Sequence, residues 1–474
     1  MLRVPEAEIL RRLTFENPWW SDLGILDQLL EKMRQRSYLE PFFELMTNRG
    51  VRRAVVLMGP RRVGKTVMLR QCIRRLIHEK DVAPERILFV SLENPIYRGI
   101  YLSRILESFM EDRGYDRFAD FYVVFDEIQY VEEWEAYLKV MVDDYPNIRF
   151  VVSGSAAAAL RMKSRESGAG RFTDFLLPPL LFAEFLDFIG ADANAEINLL
   201  NRHFIDYLNF GGFPEAILDP DIRADLPRFI ASDILEKALQ RDLPSLYGID
   251  NPNELSRFFA ALVYNTGQEL SIGELSKETN IPKNTLYKFF TFLEAAFLIH
   301  RLYRVDEFGR RPKRDTGFKA YITNPCLRTA MYGPVGPDDE IMGAMAETAL
   351  VAQVVHSSVI DKFFFAKWDK REVDLVAVHG SGDVFLAAEV KWSDRIERDH
   401  SGARHLISFA KKHSIARVMM TSRSLTGAFE TSSVKVIYVP VAKHCLIAGT
   451  VYALSELAEG RHPRRLLPDG LDQE

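Results

Sequence analysis

Val55–Thr66 reads Val-Val-Leu-Met-Gly-Pro-Arg-Arg-Val-Gly-Lys-Thr. Its apolar start predicts a short buried strand. The strand breaks into Gly59-x-x-x-x-Gly64-Lys65-Thr66, and a helical pattern follows over Val67–Lys80. Strand, glycine loop and helix in that order are the context a phosphate-binding loop requires; a chance Gly/Lys-rich turn lacks such flanks. Glycines let backbone N–H groups curl around an anion, and the helix N-terminus adds partial positive charge. The candidate nucleotide contacts are therefore Gly59, Pro60, Arg61, Arg62, Val63, Gly64, Lys65 and Thr66. Lys65 is expected to reach the terminal phosphates of ATP, and Thr66 to ligate Mg²⁺.

From 51 to about 190 the strand–helix alternation continues, which predicts an α/β domain with a parallel sheet. Arg86–Leu92 reads as a strand, Leu102–Asp112 as a helix, and Phe121–Phe125 as a strand running into Asp126-Glu127. Ile148–Ser155 repeats the design and ends in Ser153-Gly-Ser155. Ligand chemistry in open α/β sheets collects at the carboxyl ends of strands. Asp126 is expected to hold Mg²⁺ and Glu127 to orient the attacking water. The competing reading is an acidic helix cap, since Asp favours that position. Ser153 or Ser155 is placed to sense the γ-phosphate, although hydroxyls at strand ends also form turns. Gly168-Ala-Gly-Arg171 offers Arg171 as an arginine finger or nucleotide sensor, acting in its own chain or on a neighbouring copy in a homo-oligomer, or equally as a solvated loop arginine.

The chain has 474 residues, enough for about three domains at ~150 residues each. Hydrophobic residues make up 47% and charged residues 27%, an ordinary globular composition. No apolar run reaches the ~18–20 residues that span a bilayer. The start of the chain, with Glu6, Glu8 and Arg11, lacks the plan of a signal peptide. Cys72, Cys326 and Cys445 are too far apart to suggest a disulfide framework or a zinc site. A reduced, cytoplasmic setting is expected. The net charge of −5 argues against a generally basic nucleic-acid-coating protein, so any DNA contact must come from local patches.

Residues 1–50 read as helical lead-in over Leu23–Met33 and Leu39–Met46. Asn17-Pro-Trp-Trp20 fits core packing better than base stacking. Residues 178–260 look helical and apolar around Gly211-Gly-Phe-Pro-Glu215, as a lid or a plain linker would. Then Leu255–Thr266, Ser271–Thr279, Thr285–Phe297 and Leu298–Val305 give helix, helix, helix and strand, the plan of a winged helix-turn-helix. In that plan Lys283, Asn284 and Lys288 would face a DNA groove. Arg301–Lys319 adds Arg301, Arg304, Arg310, Arg311, Lys313, Arg314 and Lys319 against Asp306, Glu307 and Asp315, a basic segment able to neutralise phosphates. The same pattern also suits a packing module beside a solvated loop.

A second constellation lies further on. Glu340–Val355 reads as a helix carrying Glu347 among small and apolar residues. Phe363–Ala366, Val373–His379 and Val384–Val390 read as strands, the last running into Glu389-Val-Lys391. A helix at Ala403–Lys412 and a strand at Val418–Thr421 come next. Strand residues i and i+2 face one side, so Glu389 and Lys391 point together, and Asp374 on the hairpin neighbour is expected to meet them. Asp374 and Glu389 would bind Mg²⁺ or Mn²⁺ to activate water for phosphodiester attack, with Glu347 as a further ligand or base and Lys391 positioning that water or offsetting developing negative charge. The alternative is a cross-strand ion pair. The apolar surroundings, Phe385-Leu-Ala-Ala and Val390, favour a task for these charges.

Taken together, these motifs resemble the bacterial and archaeal AAA-type ATPases that carry a C-terminal domain of unknown function, itself similar to the PD-(D/E)xK nuclease fold. The resemblance rests on the motif order: Gly-Pro-Arg-Arg-Val-Gly-Lys-Thr (59–66), Phe-Asp-Glu-Ile-Gln (125–129), Gly-Ser (154–155), Gly-Arg (170–171), Pro-Leu-Leu-Phe-Ala-Glu-Phe (179–185), Gly-Gly-Phe-Pro-Glu (211–215), Glu-Val-Asp-Leu-Val (372–376) and Glu-Val-Lys (389–391). It implies a STAND-like or AAA+ core at 51–190 after a lead-in at 1–50. A helical lid or linker at 191–255, a winged helix at 256–318 and an α/β restriction-endonuclease-like domain at 319–474 would complete the chain. Where relatives often carry aspartate, this chain has Asn324-Pro325, a change that bears on a turn rather than on the expected metal ligands. The resemblance adds little about biological role; read from the residues, the expected activity is Mg-ATP hydrolysis coupled to nucleic-acid handling. The alternative is an ATP-driven switch or scaffold whose nuclease-like domain only binds.

Overall fold

The computed structural model describes residues 4–154, 170–244, 248–311, 317–355, 363–379, 382–397, 400–431 and 433–455. Ser155, Gly168, Lys313 and Arg314 lie outside them. The chain divides into two compact units, one of Met1–Pro178 with Ala295–Phe297, the other of Pro179–Glu294 with Leu298–Glu474.

In the first unit β1 (Ala54–Met58), β2 (Ile87–Ser91), β3 (Tyr122–Asp126), β4 (Arg149–Gly154) and β5 (Phe172–Leu176) form one sheet. Its order is β2-β3-β4-β1-β5, and every neighbouring pair is parallel. Every residue of β1 is buried, as expected of a strand covered on both faces. The helix Lys65–Lys80 buries Met68, Leu69, Cys72, Ile73, Leu76 and Ile77, a stripe at the helical period. Because β4 lies between β1 and β3, Leu57 pairs with Ser153 and Phe125 with Val152. The carboxyl ends of all three strands therefore stand side by side.

The lead-in belongs to this core. Trp19 is buried, and the Trp20 indole N–H donates to the Ile87 carbonyl at 2.9 Å. Asn17 closes the open side of edge strand β2: its amide donates to the Phe89 carbonyl at 2.8 Å and accepts the Phe89 N–H at 2.7 Å. Such pairing removes exposed strand groups that would otherwise recruit another chain.

The second unit holds a mixed nine-stranded sheet. Its strands are β6 (Glu269–Leu270), β7 (Ile299–Val305), β8 (Phe318–Ile322), β9 (Phe363–Trp368), β10 (Arg371–Val378), β11 (Val384–Glu389), β12 (Arg417–Ser422), β13 (Gly427–Thr431) and β14 (Val434–Pro440). The order is β13-β14-β12-β11-β10-β9-β7-β8-β6. A boundary at 318/319 would fall inside β8, so the 256–318 segment shares this sheet with the strands β9 to β14. Helices Pro252–Tyr264, Ile272–Thr279 and Lys283–Ala295 precede β7. Among the described residues no helix is long and apolar enough to cross a membrane.

Arg149, nearly buried at the start of β4, donates to the carbonyls of Leu45, Met46, Val51 and Arg53 at 2.6, 3.0, 3.1 and 2.7 Å. It gathers the end of the lead-in onto the sheet. Arg149→Met should destabilise this unit by about 3 kcal/mol, because buried carbonyls lose a charged donor. Chemical denaturation checks this, and an unchanged midpoint would contradict it.

Candidate functional site

At the end of β1 the loop turns on Gly59 and Gly64. A Cβ at Gly59 would lie 2.2 Å from the Leu177 carbonyl oxygen, so no side chain fits there. Gly64 has φ 97°, the left-handed region that glycine favours, and directly precedes the Lys65–Lys80 helix without a side-chain cap. The N–H groups opening that helix are the donors an anion would use. Pro60 and Val63 are buried, Arg61 is half-buried, and Arg62 is exposed with φ 66°. Lys65 is buried and donates from Nζ to the carbonyls of Gly59 at 3.0 Å and Pro60 at 2.9 Å. Its ammonium is thus folded back along its own loop.

Three strand ends converge on Asp126, which is 2% exposed. Its Oδ2 accepts the Thr66 hydroxyl at 2.7 Å, and its Oδ1 accepts the Ser153 hydroxyl. Ser153 Oγ in turn accepts the Glu127 N–H at 3.2 Å. Burial, and then the neighbouring Glu127 charge, push the Asp126 carboxyl above the usual range, while the Ser153 and Thr66 hydroxyls and Lys65 pull it back. A buried carboxylate beside a hydroxyl, with negative charge in excess, is an oxygen donor set that suits Mg²⁺. Glu127 takes a left-handed turn at φ 57°, and its carboxylate accepts the Gln129 amide.

Arg171 requires a correction. The Ala54 N–H bonds its carbonyl at 2.9 Å, and β5 then runs parallel to β1 from Phe172 opposite Ala54 to Leu176 opposite Met58. Arg171 therefore sits at the amino end of the strands, about 13 Å of strand from the end that bears the loop. There it pairs on the surface with Asp143 at 2.7 Å. It is not an arginine finger for the loop of its own chain.

In the second unit the expected hairpin meeting is present. The register that pairs Leu375 with Ala388 sets Asp374 beside Glu389. Lys391 Nζ lies 2.7 Å from Glu389 Oε1 and 3.6 Å from Asp374 Oδ2, which also accepts the Val390 N–H at 2.8 Å. Glu347 is differently engaged: its Oε1 takes the Lys319 ammonium at 2.9 Å and the Tyr321 hydroxyl at 2.5 Å. Lys319 also reaches Glu372 at 2.7 Å and Asp374 at 3.5 Å. Among the described residues no group of three or more His, Cys, Asp or Glu could hold a metal ion. Glu347, Asp374 and Glu389 thus do not form the three-carboxylate ligand set expected.

Asp374 and Glu389 remain as a pair. Glu389 Oε2 is buried without a hydrogen-bond partner, an orphaned atom that a cation would satisfy. Burial and the Asp374 charge push the Glu389 carboxyl up to about 8, against the pull of Lys391. Burial and Asp374 likewise raise Glu347 to about 7, with Lys319 and Tyr321 opposing.

Lys319, Tyr321 and Glu372 join this cluster without being expected there. A lysine inside Phe318-Lys-Ala-Tyr-Ile322, a fully buried strand, is the available signal. Its use here also shrinks the basic segment. Arg301 pairs with Glu294, and Arg304 donates to the Lys367 carbonyl at 3.1 Å and lies 3.8 Å from Glu269. Arg310 and Arg311 are exposed, as are Lys283, Asn284 and Lys288 on the Lys283–Ala295 helix.

Residues 51–186 match the family described as AAA domain, and residues 201–337 match a domain of unknown function. The chain is similar to an uncharacterized protein of Haemophilus influenzae, 24% identical over 327 residues, covering 68% of this chain and 78% of that one. A second uncharacterized protein, MJ1544 of Methanocaldococcus jannaschii, is 26% identical over 277 residues, covering 56% and 59%. Among solved structures, the Aeropyrum pernix ORC2 protein aligns at 14% identity and TM-score 0.39, over 63% of this chain and 93% of that one. DnaA from Aquifex aeolicus aligns at 13% and 0.27, over 54% and 86%. Residues 51–186 thus match an AAA domain and carry the glycine loop, the parallel strand order and the Asp126 contacts described above.

The raised carboxyls of the second unit carry a pH signature. With Glu389 at about 8 and Glu347 at about 7, against 4.5 ordinarily, the folded state binds more protons than the unfolded chain between these values. Stability contributed by their neutral forms is full below the ordinary value and is lost as pH rises through the folded one. In chelator, thermal stability should therefore fall from about pH 5 to about pH 8. Glu389→Gln should flatten that fall, and equal slopes for the two proteins would contradict the assignment.

Proposed function

We propose that this chain is a Mg-ATP-binding and ATP-hydrolysing AAA-type ATPase, coupled to nucleic-acid handling through a winged helix and a nuclease-like C-terminal unit. The observation that carries the ATPase reading is the junction of Thr66, Asp126 and Ser153 beside the glycine loop. The loop N–H groups cradle the phosphates, and Lys65 leaves the Gly59 and Pro60 carbonyls to meet the terminal ones. Thr66 and Asp126 would hold Mg²⁺, which when bound would supply positive charge to offset that developing in phosphoryl transfer. Glu127 orients the attacking water, and Ser153, already bonded to both acidic residues, reports occupancy of the site. Within this reading the core ends at Pro178, and the winged helix and the nuclease-like part are two regions of one unit that share a sheet.

For the second unit, Asp374 and Glu389 would hold Mg²⁺ or Mn²⁺, a cation able to activate water for phosphodiester attack. Lys391 stands beside both carboxylates to position that water, and the exposed Lys283, Asn284 and Lys288 supply the DNA contact. A second reading, an ATP-driven switch whose C-terminal unit binds without cutting, is favoured by the internal pairing of Arg301 and Lys319. That pairing removes two cations from phosphate contact.

Lys65→Ala should abolish nucleotide binding, whereas Glu127→Gln should bind ATP and keep it unhydrolysed. Turnover at the wild-type rate in both variants would overturn the ATPase assignment. Supercoiled plasmid incubated with Mn²⁺ or Mg²⁺, with and without ATP, separates the two readings of the second unit. Nicking that Lys391→Ala loses establishes a nuclease; a wild type that leaves plasmid intact in every nucleotide state selects the switch.

A further inference from the structure

Arg36 lies between the helices Leu23–Leu30 and Leu39–Thr47, in a stretch without any motif. It is nevertheless 5% exposed. Its guanidinium donates from Nη1 to the Val63 carbonyl at 2.7 Å and from Nη2 to the Pro178 carbonyl at 2.9 Å. Val63 belongs to the glycine loop, and Pro178 comes shortly after β5. The same two segments meet directly: the Leu177 N–H donates to the Met58 carbonyl at 2.7 Å, and Gly59 makes room for the Leu177 carbonyl.

The stretch that carries Arg36 is itself anchored to the Lys65–Lys80 helix. The Gln71 amide donates to the carbonyls of Met33 at 3.3 Å and Arg34 at 3.4 Å. On either side of Arg36, Asp27 pairs with Arg74 and Glu40 with Arg75. The guanidinium is thus held from behind while it grips the loop in front.

We propose that Arg36 is a positioning residue for the phosphate loop, acting through the Val63–Gly64 peptide. This rests on the reading of that loop as the nucleotide site. In a trans peptide the carbonyl and the next N–H point in opposite directions. Fixing the Val63 carbonyl on Arg36 therefore directs the Gly64 N–H away from Arg36, and the adjacent positive charge polarises that peptide into a stronger donor. The Pro178 bond keeps the guanidinium fork in one orientation. Lysine, a single ammonium on a flexible stem, reproduces the charge but not the two-pronged grip.

The test is titration of wild type, Arg36→Ala, Arg36→Lys and Lys65→Ala with a fluorescent ATP analogue, with and without millimolar guanidinium ion, alongside thermal melting. Arg36→Ala should bind about tenfold to a hundredfold more weakly, the scale of lost charged hydrogen bonds. Guanidinium ion should restore much of that affinity in Arg36→Ala and none in Lys65→Ala, and Arg36→Lys should fall between. Unchanged affinity in Arg36→Ala overturns the proposal, as does a loss that guanidinium ion leaves untouched. Where Arg36→Ala fails to fold, Arg36→Lys decides: weaker binding at wild-type melting temperature supports the role, and wild-type binding refutes it. A wild type that binds no nucleotide overturns the reading of the loop itself, and the inference with it.

Discussion

At the carboxyl edge of the first sheet the Asp126 carboxylate is almost wholly removed from water, and the Thr66 and Ser153 hydroxyls take up its two oxygens. An interior charge is costly unless hydrogen bonds or a counter-ion meet it. The three residues come from separate parts of the chain, and only the strand order brings them together. With β4 inserted between β1 and β3, Ser153 stands beside both the loop strand and the acidic strand. The apolar runs of those strands, the close turn at Gly59 and the helix that starts at Lys65 all serve this one junction. Burial pushes the carboxyl up, a cost that a cation held there would relieve.

The second unit solves a similar problem by another route. Four carboxylates (Glu347, Glu372, Asp374 and Glu389) gather around two ammoniums (Lys319 and Lys391). Asp374 bridges the pair, touching one lysine with each oxygen. Two ammoniums against four carboxylates leave negative charge unmatched, and Glu389 Oε2 is buried without a hydrogen-bond partner. Glu347 is committed to Lys319 and Tyr321, so of the expected ligands the Glu389–Asp374 side alone keeps an unpartnered oxygen among the described residues.

What the amino-acid sequence makes legible is local. The loop is readable because a fixed glycine spacing comes after an apolar run and before a helical period. Asp374, Glu389 and Lys391 are readable because a hairpin neighbour and an i, i+2 pair need only the strand period. Lys319 reads as part of a basic segment because its partners lie tens of residues away, across a β8–β7–β9–β10 ordering that local periodicity does not encode. Arg171 is misread for a related reason. Phe172–Leu176 has only one fully buried residue, so its pattern does not announce a strand, and without β5 its position reads as a free loop. Arg36 has no local signature at all; its role exists only because three segments converge on one guanidinium.

The most direct measurement is phosphate release from ATP by the purified full chain as Mg²⁺ is varied. The account predicts release that saturates with ATP and stops when a chelator removes the metal. No release at any Mg²⁺ concentration, or release indifferent to the chelator, would contradict it.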